Sequence, residues 1–184
     1  MRPIDIILNM LTGKPLPNWN PVGQKVLYSI TGDVKDGRTK VRTARDAVII
    51  ADDPKHDIAL LRAKAEVGLS VPKHPVAPLA NDVEAGEEVR IMGHPKGMWW
   101  TYAQGVVSAQ RTATFNIADG ELDVVQISAP VWFGNSGGGA FNASGELVGI
   151  CSRLDDKMPN TSYFISIIYV RELLEHERVI PVKR

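Results

Sequence analysis

Only one cysteine, Cys151, stands in the 184 residues, so no internal disulfide can form. A lone thiol fits a reducing compartment or a fold that needs no covalent staple. No apolar run approaches the roughly 18 residues that a membrane-crossing helix requires. Lys+Arg and Asp+Glu both number 21, so there is no excess of one sign. That balance argues against a nucleic-acid footprint or a polybasic membrane surface. A secretory leader pattern is also missing, and the expectation that follows is a cytoplasmic or otherwise non-secreted protein. Histidine is scarce and unevenly placed: the four are His56, His74, His94 and His176, with none before Lys55. What the chain does have is glycine (16), proline (12) and a 44% hydrophobic fraction. This is the make-up of a loop-rich fold long enough to bury a real core.

Strand signals run through most of the chain. Ile4 to Leu11 reads as a short helix or a strand, and Lys14 to Pro21 is proline-broken loop. Val26 to Ile30 is the first clear strand segment, Asp36-Gly37 marks a turn, and Ala47 to Ala51 is a second apolar run. Asp53-Pro54 is another turn, after which His56 to Leu61 reads as a strand opening. Residues 62 to 85 are broken by Val71-Pro72 and by Pro75 to Pro78 and read as a connection. Glu87 to Met92, Thr101 to Ala109, Leu122 to Ser128 and Tyr163 to Ile167 are strand segments. Gly93-His94-Pro95 is a turn, and Val170 to Glu177 is a helix with Leu173 and Leu174 inward. Three units follow: residues 1–24, 25–80 and 81–184. Asn142-Ala-Ser144 and Asn160-Thr-Ser162 match the glycosylation acceptor pattern, which in a non-secreted chain is chance.

The densest chemical signal is the stretch 130–153, PVWFGNSGGGAFNASGELVGICSR. Gly134, Gly137, Gly138 and Gly139 surround a single hydroxyl, Ser136. Glycine permits positive φ and lets successive backbone N–H groups converge on one point. Such N–H groups stabilise the oxyanion formed when a serine attacks a carbonyl. The alternative is a tight surface turn, for which Asn-Ser-Gly is ordinary composition. Asp57 precedes a four-residue apolar run, either as a solvated strand end or as an acid serving a site. His56 lies next to it, but neighbours on a strand point to opposite faces. Trp99 and Trp100 are large for a loop and either pack at the edge of the core or line a binding groove. Cys151 reads as a small buried hydrophobe.

The segments GNSGG and GELVGI, together with DPKHDIALLRA, VRIMGHPKG and YAQGVVSA, resemble the chymotrypsin-like serine peptidases, within them the HtrA-like branch. The resemblance covers roughly residues 25 to 177 and is fuller in the second half. It implies an all-β, trypsin-like double β-barrel with a short C-terminal helix and an incomplete first barrel. It also implies Ser136 as nucleophile, Asp57 as the triad acid, and the backbone N–H groups of Gly134 and Ser136 as the oxyanion hole. Walls of a substrate pocket are implied around Pro130, Ser152, Arg153, Leu154 and Ser162, with no carboxylate at the floor, so an apolar or small side chain fits. No metal or cofactor is implied. The ligand would be a polypeptide substrate or peptide-like molecule, and a protein partner or further N-terminal segment would cover the open barrel edge. Neither nucleic acid nor a membrane is called for.

Two departures stand out. Gly139 replaces the proline usual in the family, which removes no catalytic atom. More seriously, the family's base is a histidine upstream of the aspartate, and none is present there. His94 reads as structural. Three explanations stay open: a fragment of a full enzyme, a fold kept as a binding or structural module after losing catalysis, or recruitment of another histidine. The pattern G-x-S-x-G also fits the nucleophile elbow of the α/β-hydrolases, with Asp155 or Asp156 and His176 as partners. Against that, strand and hairpin signals follow the serine where a helix is required.

Overall fold

Alternation builds the second half of the chain. Along β7 (Glu88–Gly93), Val89, Ile91 and Gly93 are buried while Glu88, Arg90 and Met92 face out, the period of a strand with one wet face. The computed structural model describes residues 5–8, 25–29, 32–35, 38–41, 44–63, 77–98, 101–114, 121–155 and 157–179. After β7 come β8 (Thr101–Thr114), β9 (Glu121–Ser128), β10 (Gly139–Phe141), β11 (Leu147–Leu154) and β12 (Ser162–Ser166). These six close into a barrel in the order β10-β11-β12-β9-β8-β7. Closure leaves no open edge in this half. Its interior is filled by Val89, Ile91, Val107, Val125, Ile127, Val148 and Phe164, all almost completely buried. Each such side chain contributes roughly 1.5–3 kcal/mol by leaving water.

The first half is a sheet rather than a closed barrel among the described residues. β1 (Asp5–Leu8), β2 (Lys25–Ser29), β5 (Ala44–Asp53) and β6 (Ile58–Ala63) pair in the order β1-β6-β5-β2. β3 (Gly32–Lys35) and β4 (Arg38–Val41) form a separate antiparallel hairpin, with Lys35 opposite Arg38 on either side of Asp36-Gly37. Ile4 to Leu11, open between helix and strand in the sequence, therefore supplies a strand. Residues 1–24, set apart from the first barrel in the sequence, supply β1, with Ile6 opposite Leu61 on β6.

The C-terminal helix α1 (Ile167–His176) starts three residues earlier than its sequence pattern indicates, because Ser166 caps it by accepting from the Ile168 N–H. Ile167, Val170, Leu173 and Leu174 form its buried stripe. That stripe belongs to one apolar cluster with Ala51, Ile58 and Leu60 of the first sheet and Leu122, Val124, Ile150 and Ile165 of the barrel. Through this shared core the β5–β6 turn sits against β11, which positions the site.

Two further expectations are corrected. His56 and Asp57 lie in the turn Pro54–Asp57, not in a strand, and β6 begins only at Ile58. Asp57 adopts a left-handed φ of 56°, which aspartate tolerates better than most residues. β8 runs on to Thr114, past the expected Ala109, because β9 pairs with it as far as Glu121 opposite Thr114. Trp99, Trp100, His74, Asp156 and the Lys14 to Pro21 segment lie outside the described residues.

Candidate functional site

Residues 130–138 link β9 to β10, and their backbone is held by a set of short bonds. Asn135 N–H donates to Trp132 O at 3.0 Å and Gly138 N–H to Asn135 O at 2.9 Å. Gly137 N–H donates to Cys151 O, and Cys151 N–H to Gly138 O, both at 2.8 Å. These last two fasten the loop onto β11. Phe133 O accepts from Lys96 N–H at 2.8 Å. A trans peptide sends its C=O and N–H in opposite directions, so this anchor turns the Gly134 N–H away from Lys96. Gly134 has φ 101°, and a Cβ there would lie 2.4 Å from His94 O. Glycine is therefore required twice over at this position. Among the described residues, the N–H groups of Gly134 and Ser136 donate to no acceptor. Both belong to one short loop between β9 and β10.

The Ser136 hydroxyl donates to the Ser152 carbonyl oxygen at 3.3 Å. The Ser152 hydroxyl, buried on β11, donates to Asp57 Oδ2 at 2.9 Å. Ser136 and Asp57, brought forward separately from the sequence, are thus joined through one residue of β11. Arg153 follows Ser152 directly. A register shift on β11 between Cys151 and Arg153 breaks the strict alternation of faces there. Burial pushes the Arg153 guanidinium below its ordinary pKa, and the Asp57 carboxylate acts against that shift. Arg153 and Asp57 therefore interact electrostatically.

The histidines are placed as follows. His56 is engaged by two other groups: its Nδ1 lies 2.5 Å from Asp53 Oδ2, and its ring stacks on Tyr169 of α1 with centroids 3.8 Å apart. Tyr169 in turn accepts at its hydroxyl from the Asp123 N–H at 3.0 Å. His94 is half-buried, burial lowers its pKa, and its carbonyl faces Gly134. His176 is exposed at the end of α1, 3.0 Å from Glu177 Oε1.

Beside the glycine loop opens a cavity of ≈ 600 Å3, lined among others by Pro95, Pro130, Trp132, Phe133 and Leu154. Lys96 Nζ sits 4.9 Å above the Trp132 ring. Of the pocket residues read from sequence, Pro130 and Leu154 line this cavity. Ser152, Arg153 and Ser162 lie outside its lining, and the buried Ser162 hydroxyl donates to Ile127 O across β12 and β9. Sequence reasoning missed that Ser152 bridges the hydroxyl and the acid, and that Arg153 faces Asp57. No local pattern carries either relation, since Ser152 and Asp57 are 95 residues apart.

The nucleophile-elbow alternative fails on this geometry. Ser136 lies between two strands, and Asp155 is occupied in a turn, accepting from the N–H groups of Lys157 and Met158.

The model of the trypsin-like peptidase domain matches residues 22–150. The chain belongs to that family. Among curated relatives, a probable periplasmic serine endoprotease DegP-like from Brucella suis is 39% identical over 113 residues, covering 59% of this chain and 20% of the relative. The Arabidopsis thaliana chloroplastic protease Do-like 1 is 33% identical over 141 residues, covering 72% of this chain and 31% of the relative. The chain thus spans between a fifth and a third of these two relatives. The Rv3671c protease of M. tuberculosis in its active form shares the fold, with TM-score 0.65, 20% identity, and 79% and 63% of the two chains covered. An HtrA-type protease, AlgW with decapeptide, does so at TM-score 0.63 and 24% identity, covering 74% and 42%. Trypsin-like, HtrA-branch architecture is what the sequence led us to expect. The cytoplasmic or otherwise non-secreted placement is overturned: DegP-like relatives from Brucella suis, Pseudomonas fluorescens and Buchnera aphidicola are described as periplasmic. A lone cysteine was a poor guide, because a fold closed by a barrel and a shared core needs no disulfide in any compartment.

Proposed function

We propose that the chain is a serine endopeptidase homologue that has the nucleophile, the acid and the oxyanion hole but no general base, and that it does not turn over peptides by itself. In this reading Ser136 is the nucleophile, the Gly134 and Ser136 N–H groups form the oxyanion hole, and Asp57 is the triad acid. The ligand is a polypeptide or peptide-like molecule. The observation that carries the reading is the relay from Ser136 through Ser152 to Asp57, which contains no imidazole. A serine hydroxyl becomes a nucleophile only when a base takes its proton. A backbone carbonyl cannot do so at neutral pH, and neither can the guanidinium beside Asp57, which has no acceptor. His56 supports the reading from the other side, because both its ring face and its Nδ1 are already occupied.

The test is fluorophosphonate labelling of the purified chain and of Ser136→Ala, read by intact mass. The expected result is no stoichiometric adduct on a folded, monodisperse protein. Complete labelling of the parent that vanishes in Ser136→Ala would show that a base reaches Ser136 and would overturn the proposal.

A further inference from the structure

Resting on the reading of Asp57 as the acid of the site, we infer that His56 is its positioning residue, a link through which the helix α1 fixes where Asp57 stands.

Asp53 closes the turn Pro54–Asp57 on His56 three times. The His56 N–H donates to the Asp53 carbonyl oxygen and to Asp53 Oδ1, each at 3.2 Å, and His56 Nδ1 lies 2.5 Å from Asp53 Oδ2. An ionised carboxylate only accepts, so Nδ1 carries the proton and donates. Both oxygens of one carboxylate are thus committed to one residue, which fixes the His56 side chain together with its backbone. That side chain is only 13% exposed, so the ring is a packed part of the fold and not a solvated turn residue.

The face of the ring meets α1. His56 and Tyr169 stack with centroids 3.8 Å apart and planes 15° from parallel. The Tyr169 hydroxyl accepts from the Asp123 N–H at 3.0 Å, which holds the far end of that ring against β9. The helix itself is anchored by its buried stripe and by Arg171, whose Nη2 donates to Ala80 O at 2.9 Å. His56 therefore packs on a partner that is fixed from two sides.

Asp57 needs such support. Its φ of 56° is left-handed, a conformation that an L-residue keeps only where its surroundings impose it. On one side of it β6 begins at once with buried Ile58, paired with Asp53. On the other side stands His56. Held between the strand and this clamp, Asp57 Oδ2 accepts from the Ser152 hydroxyl at 2.9 Å. A hydrogen bond weakens steeply as its angle closes, so a turn that relaxed out of the left-handed conformation would lose this one. The two neighbours in sequence thus have separate tasks: His56 faces α1, and Asp57 reaches β11. A displacement of α1 is passed to the acid through the stacked ring.

The experiment is a double-mutant cycle on the full chain, His56→Ala against Ser152→Ala, with folding equilibrium constants taken from urea titrations. Ser152→Ala removes the donor to Asp57 and should lower the parent's constant by about tenfold or more, as loss of a hydrogen bond to a charged group does. In the His56→Ala background the same substitution should lower it by less than about threefold, because Asp57 has already left Ser152. A histidine that only stabilises the fold would give equal factors in both backgrounds. Equal factors, or a parent factor already below about threefold, overturn the inference. Tyr169→Ala removes the stack from the other side, should reduce the Ser152→Ala factor as His56→Ala does, and carries the test if His56→Ala does not fold. Gly145→Ala, at the hairpin tip, should leave the factor unchanged; a factor that fell there too would show a loss of coupling that does not run through His56 and would also overturn the inference. Fluorophosphonate labelling is independent of this cycle. A base that reaches Ser136 would refute the lack of turnover and leave the coupling standing, while equal factors without labelling would refute the coupling alone.

Discussion

Three glycines separate two costs that are usually confounded, and alanine at each gives a quantitative test of the loop. Gly145, at the tip of the β10–β11 hairpin, has φ 77° and nothing within 4 Å of a built Cβ. Gly138 has no left-handed φ, but its Cβ would lie 2.6 Å from Met92 O and 2.9 Å from Asn135 O. Gly134 combines both, with φ 101° and His94 O at 2.4 Å. Left-handed backbone costs an L-residue roughly 1–2 kcal/mol, and alanine recovers about 0.4–1 kcal/mol by restricting the unfolded chain. Gly145→Ala should therefore cost between about 0 and 1.5 kcal/mol. Gly138→Ala must displace backbone, not a flexible side-chain end, and a forced fit of that kind costs about 1–3 kcal/mol. Gly134→Ala should cost roughly the sum, about 2–4 kcal/mol, since both strains fall on one residue. At about 2–4 °C per kcal/mol for a chain of this size, its melting temperature should fall by at least about 4 °C. Urea unfolding followed by circular dichroism gives the free energies, and calorimetry the temperatures. Gly134→Ala no more destabilised than Gly145→Ala would refute the close approach of the loop to His94.

Burial pushes the Cys151 thiol up to about 12, whereas an unfolded cysteine titrates near 8.5. The folded state holds the proton more tightly, so stability is whole below about pH 8.5 and falls above it by up to about 1.4 kcal/mol per pH unit. Ellman's reagent at pH 8 should find no thiol in the native chain and one in denaturant; prompt native reaction would contradict the burial. Asp52 is pushed up, mainly by burial and secondly by Asp53, so its ionisation opposes folding and stability is lost as pH rises through its titration. Asp52→Asn should raise the melting temperature at pH 7 and leave it unchanged at pH 3, where both forms are neutral; the opposite order would refute the assignment. Tyr169→Phe keeps the stack on His56 and loses only the Asp123 N–H acceptor, costing less than about 1 kcal/mol, while Tyr169→Ala should cost about 2–3 kcal/mol. Equal losses in urea titrations would show that the ring contributes nothing.

Legibility from sequence followed the range of the interactions. The β7 and β9 alternations, the Asn142 to Gly145 hairpin tip and the inward Leu173 and Leu174 of the helix were readable because each is set by neighbours a few residues apart. The glycine loop was readable for the same reason: Gly134, Gly137 and Ser136 encode a backbone shape locally. Asp5 to Leu8 remained ambiguous because its state is decided by pairing with β6, more than 50 residues away. His56 and Asp57 were read as strand because the apolar run after them was given more weight than Asp53-Pro54 before them. The left-handed φ at Asp57 marks where the turn ends. Nothing in the local pattern could show that Ser152 and Arg153 meet Asp57. Their side chains looked like pocket wall until the register shift on β11 and the shared core brought the first sheet against the barrel.

The bond from Ser152 to Asp57 also bears on how such a chain can change over generations. An acid that accepts a hydrogen bond from a strand of the barrel keeps that partner whether or not an imidazole stands beside it. Arg153 interacts with the same carboxylate. The scaffold is therefore indifferent to the presence of the base, and drift can remove that base without first crossing a valley of unstable intermediates. The route back is narrower. In a chain without the base, an added imidazole would have to share the carboxylate with Arg153, so gaining turnover would take at least two coordinated changes. The acid's independence of the base works as a ratchet: easy to turn one way and hard to reverse.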